Sequence, residues 1–144
     1  MKKLTTTLLL FLSATFVHAS QLHKDVLTAT LILEAGGEGY HGMVAVANVI
    51  DNRAHKYGIS HYKVVRKPKQ FSSHNGRTTS RVIALAKNHP KWDEAARIVN
   101  KMLTGNLVDI THGADHFVTV KTYPAWAKKM KITCYIKGHK FYRS

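Results

Sequence analysis

The chain has one cysteine, three prolines and only 8 acidic residues in a length of 144, and each scarcity narrows its chemistry. Cys134 has no partner for an intramolecular disulfide, so stability rests on packing. A closed zinc site made of several thiolates is excluded for the same reason, and a cysteine protease is a poor reading. No Gly-x-Ser-x-Gly elbow occurs, and the Ser72-Ser73 pair lacks a strand-to-helix setting, which sets a serine hydrolase aside. No phosphate-cradling glycine motif is present. No repeat, low-complexity tract or linker divides the chain, so one domain with one modest core is expected.

The long apolar run from Leu8 to Val17 follows Lys2 and Lys3 and leads into small residues around Ala19. That pattern predicts a signal peptide over 1–19, a mature domain over 20–144 and a secreted or periplasmic destination. The run is too short to favour a stable membrane span. Without its two lysines, 20 basic residues face 8 acidic ones, a net charge of +12 with His neutral. Such an excess suits a polyanionic partner, and an exported protein meets an anionic cell-wall surface before it meets nucleic acid. Solubility alone is the plain alternative.

The chain is organised around Leu31 to Arg53, LILEAGGEGYHGMVAVANVIDNR. Leu27, Leu31 and Glu34 fall at i, i+4 and i+7, so a helix carries Glu34 on its apolar stripe. An apolar setting disfavours the charged form of a carboxyl, which is what a proton donor needs. Gly36 and Gly37 then end the helix and leave room for a ligand. A glutamate here also closes helices by pairing with a lysine, and the residues alone leave both readings open. Glu38 sits inside the turn, where hydrogen bonding to the loop is its expected role.

Asp25 is the predicted N-cap of a helix reaching Glu34. Met43 to Ile50 is apolar except for Asn48, which predicts a buried central helix ending at Gly58 and an internal partner for Asn48. Residues 59–79 predict a surface loop with one short strand. Two more helices are expected, one from about Thr79 and one from about Lys91 to Leu103, the latter turning Trp92, Ala95, Ala96, Val99, Met102 and Leu103 inward. HFVTV and ITCYIKGHKFYR predict two or three short strands, with a loop and helical turn between them. His112, His116 and His139 invite a metal reading, but the first two enter a strand where they stand far apart, so packing is the expected role. No metal or cofactor is expected. A two-carboxylate glycosidase needs its second carboxylate roughly 5 to 9.5 Å away, a place open to Asp115 or Glu38.

EAGGEGYHGMVAVANVIDNR, KPKQFSSHNG, MLTGN, ITHGADHF, PAWAKKM and IKGHKFYR occur in this order and resemble the SleB/CwlJ cell wall hydrolases over about Leu27 to Arg143. The resemblance implies an α+β, lysozyme-like domain, helix-rich with a short C-terminal β-sheet, that acts on peptidoglycan glycan strands as a monomer. It implies Glu34 as the catalytic acid, with Gln70, Phe71, His116 and Phe117 lining the sugar groove; Glu38 and Tyr40, in the glycine-rich stretch beside Glu34, are further substrate-binding candidates. It also implies cleavage between N-acetylmuramic acid and N-acetylglucosamine, by lytic transglycosylation or by simple hydrolysis. A noncatalytic basic wall-binding protein is the alternative of another class. Both a bacterial enzyme and a phage endolysin fit. The chain departs from the family pattern at Gly36, where arginine is usual, and at Ser73, His74, His112 and Asp115.

Overall fold

The computed structural model describes residues 20–144, and the expected signal segment lies outside the described residues. Helix α1 covers 20–35. Asp25 is therefore an interior residue and not the N-cap: its carboxylate accepts from Gln21 Nε2 at 2.8 Å and faces Lys87 Nζ at 3.3 Å. The i, i+4 bond to Gln21 supports the extra turn before it. A 3-10 turn over Gly36–Glu38 redirects the chain into α2, Gly39–Tyr57. Gly39 adopts φ 75°, and a Cβ on Gly42 would stand 2.3 Å from Glu38 Cβ, so this corner requires both glycines.

Helix α2 is the central element, buried without interruption from Gly42 to Ile50. Asn48 meets its expected partners, donating to Val108 O at 3.1 Å and accepting from Ile110 N at 3.0 Å. The helix stops at Gly58 in the left-handed region, as its sequence predicts. The expected loop-and-strand over 59–79 instead opens with helix α3, His61–Arg66. Ser60 caps it by accepting from Lys63 N at 3.2 Å, and Val64 and Val65 enter the core. Those two β-branched neighbours read as strand in isolation, but burial against the helical core decides their conformation.

Helix α4 spans Thr79–Ala86 behind a Thr78 cap, and α5 spans Trp92–Leu103. Ala95, Ile98, Val99 and Met102 form the buried face of α5, whereas Leu103 is exposed. Strands β1 (His116–Thr119), β2 (Lys131–Ile136) and β3 (His139–Arg143) form an antiparallel sheet in the order β1-β3-β2. The main core joins α1, α2, α3, α4 and α5. A second cluster, Ala45, Val49, Ala114 and Phe141, seals the sheet against α2. Each fully buried Val, Leu, Ile or Phe side chain contributes about 1.5 to 3 kcal/mol. The result is the helix-rich α+β domain with a small C-terminal sheet that the sequence predicts. Among the described residues, no helix is long and apolar enough to cross a membrane.

Candidate active site

Glu34 stands in the last turn of α1, where the apolar stripe of Leu27 and Leu31 surfaces: those two leucines are buried and Glu34 is half-buried. Its Oε1 accepts two hydrogen bonds from one residue, Ser73 Oγ at 2.6 Å and Ser73 N at 3.2 Å. Both donors converge on the same oxygen, and among the described residues no donor is bonded to Oε2. Ser73 comes from a 3-10 turn over Ser72–His74 and also lines a shallow hollow of about 320 Å³ with Leu33, Ser72, Arg77 and Leu85. The hollow meets Glu34 only through its neighbours Leu33 and Ser73.

The turn carrying Ser73 is held by His74, which is buried. Arg66 Nη1 can only donate, so the 3.0 Å contact makes His74 Nδ1 the acceptor. Nε2 therefore bears the proton and donates to Thr30 Oγ1 at 2.8 Å, which in turn donates to Val26 O at 2.7 Å. This chain of donors works only with a neutral ring. Burial, with the Arg66 charge second, lowers the imidazole to about 4 from its usual 6.5.

The other predicted site residues divide. Glu38 accepts from Gly138 N at 2.8 Å, tying the start of α2 to the β2–β3 turn, and its Oε1 lies against Gly138 as well. Asp115 is 3% exposed and receives Lys56 Nζ at 2.7 Å, His116 Nδ1 at 2.8 Å, Ser144 Oγ at 2.7 Å and Ser144 N at 3.0 Å. Burial would raise its carboxyl, but those four donors outweigh it and hold the group below the usual carboxylate range. Asp115 is thus a structural anchor for the end of the chain, not a second catalytic carboxylate.

Phe71 is a correction too. Its ring is 1% exposed and faces Phe117 at 6.3 Å between centroids, with the Arg53 guanidinium 5.3 Å from its centroid, so it offers no surface to a sugar. Phe117 stacks on Phe141 at 5.8 Å, and the three rings join the Ser73 turn to the sheet through the core. His116, fixed by Asp115, packs at 5.1 Å against Trp126. Tyr40 and Gln70 are exposed. Neither they nor His116 hydrogen-bond to Glu34, whose protein partner is Ser73. Ser73 was a departure in the sequence pattern and carried no signal of its own. At Gly36, another departure, the backbone carbonyl accepts from Lys91 Nζ at 2.7 Å.

A family model described as Cell Wall Hydrolase matches residues 37–142, beginning just after Glu34. The fold is similar to the catalytic domain of the germination-specific lytic transglycosylase SleB from Bacillus anthracis, with a TM-score of 0.68 and 24% identity, covering 85% of this chain and 95% of that one. It is equally similar to the catalytic domain of the Bacillus cereus SleB protein, with a TM-score of 0.67 and 25% identity, covering 85% and 91%. A comparison with curated proteins returned no match.

Proposed function

This chain belongs to the cell wall hydrolase family, and from that premise we propose that it degrades peptidoglycan outside the cytoplasm, cutting the glycan between N-acetylmuramic acid and N-acetylglucosamine. The observation that carries the reading is the half-buried Glu34 carboxylate, held through Oε1 by Ser73, a residue that also lines an open hollow. One carboxylate that both gives and takes a proton suits lytic transglycosylation, the activity named for the Bacillus anthracis relative.

In this reading protonated Oε2 gives its proton to the glycosidic oxygen as the C–O bond breaks, and positive charge develops at muramic C1. The resulting carboxylate then takes the proton from the muramic 6-hydroxyl, whose oxygen bonds to C1 and closes the anhydro ring. Ser73 keeps Oε1 fixed throughout, so the proton always travels through the same oxygen. The role of Asp115 as an anchor favours ring closure over a two-carboxylate hydrolysis.

Digestion of purified sacculi followed by mass spectrometry tests this. Products one water lighter than reducing muropeptides are expected, whereas ordinary reducing ends would replace the proposal with simple hydrolysis. Glu34→Gln is expected to lower lysis at least ~10²-fold, while Glu38→Gln keeps it. The reverse ranking would move the acid to Glu38. Retained wall affinity with no lysis by the parent protein would leave a noncatalytic wall binder.

A further inference from the structure

The sheet has an outer face that takes no part in the Glu34 site. Between it and the 120–130 segment runs a groove of about 500 Å³, lined by Val120, Tyr123, Lys128, Met130, Tyr135 and Lys140 among others. Two of its rings stand in the open: Tyr123 is 82% exposed and Tyr135 62%. Lys140, itself only 3% exposed, holds its ammonium 3.6 Å from the Tyr123 ring centroid and donates to Thr122 O at 2.9 Å. The cation thus fixes one face of Tyr123 and leaves the exposed remainder for stacking.

Charge sharpens what this groove takes. Residues 116–144 contain seven Lys and Arg and no Asp or Glu. Among the described residues none of those seven forms an ion pair. Large aromatic faces left in water beside unneutralised ammonium groups fit a ligand that presents flat apolar ring faces and carboxylates together. A glycan strand bearing acidic peptides has both: sugar C–H faces for the tyrosines and peptide carboxylates for the exposed Lys128.

We propose that this groove is a second, noncatalytic binding site for the peptide-bearing peptidoglycan strand, holding the enzyme on the wall while Glu34 works elsewhere. This rests on the proposed substrate class. It makes the anchor part of the catalytic domain, carried by Tyr135 of β2 and by Tyr123 and Lys128 of the segment before it.

The test uses the full chain with Glu34→Gln, which stops turnover, and measures sedimentation with purified sacculi. Tyr123→Ala with Tyr135→Ala in that background is expected to weaken binding about tenfold or more. Lys128→Glu, at an exposed position, is expected to weaken it as well. Both rings are exposed, and an unchanged circular dichroism melt will show that the fold survives. Sacculi stripped of their peptides by an amidase are expected to bind the parent more weakly than intact sacculi. Undiminished binding by the tyrosine variant, or equal binding to stripped and intact walls, overturns the groove assignment and leaves the substrate reading standing. Failure of the parent to bind sacculi at all overturns both. A loss of DNA affinity in the tyrosine variant with sacculus binding untouched reassigns the groove to nucleic acid and overturns the proposal.

Discussion

Ser73 gives Glu34 both of its donors, one from the backbone and one from the hydroxyl, and the hydroxyl is the shorter at 2.6 Å. A hydrogen bond to a charged group contributes about 1.5 to 3 kcal/mol, so removing the hydroxyl alone leaves the carboxylate tethered but freer to turn. Ser73→Ala is therefore expected to lower kcat roughly tenfold with KM little changed. Ser73→Thr, which keeps the hydroxyl, should restore most of it. Steady-state lysis of labelled sacculi by the two variants checks this, and a change confined to KM would place Ser73 in substrate binding instead. Glu34 was legible in the sequence because i, i+4, i+7 spacing is a local property of the helix. Ser73 was not, because its partner lies 39 residues away.

The Ser72–His74 turn and the α1–α2 corner depend on fixed pieces of local geometry. In the folded protein His74 resists protonation down to about pH 4, whereas the unfolded ring accepts a proton below about 6.5. Protons therefore favour the unfolded state in this window: the contribution of the neutral ring is complete above pH 6.5 and is lost as pH falls through 4. The loss amounts to up to about 3 kcal/mol. Urea unfolding at pH 7, 5.5 and 4 will show the slope, and His74→Gln should flatten it. At the corner, Gly42→Ala would set its methyl 2.3 Å from Glu38 Cβ, a contact that no rotamer relieves. About 2 kcal/mol or more of destabilisation is expected, read as a lower thermal midpoint. The glycines of this corner were legible as a turn. Helix α3 was not, since Val64 and Val65 carry strand preference and their helical state comes from burial.

Over the whole molecule the positive charge falls in two acid-free stretches, ten Lys and Arg in residues 52–92 and seven in 116–144, while Asp25 pairs with Lys87 and Asp115 with Lys56. Exposed lysines facing an anionic wall are screened by salt. Sacculus binding is therefore expected to weaken steadily between about 50 and 300 mM salt, and the Glu34→Gln protein will report it without turnover. Binding independent of salt would assign the affinity to the aromatic faces alone.

The residues alone carried the helix-rich class, the buried central helix with its Gly58 stop, the C-terminal strands and the candidacy of Glu34, because periodicity, caps and β-branched runs act over a few neighbouring residues. They could not separate Glu38 and Asp115 from Glu34, since a carboxylate's task depends on which donors surround it. Folding brought Gly138 to Glu38, and Lys56, His116 and Ser144 to Asp115, leaving Glu34 held through one oxygen by Ser73. It also drew Phe71 out of the expected groove and into the core, with the half-buried Phe117 packed against it, because aromatic rings bury wherever long-range packing offers them a face.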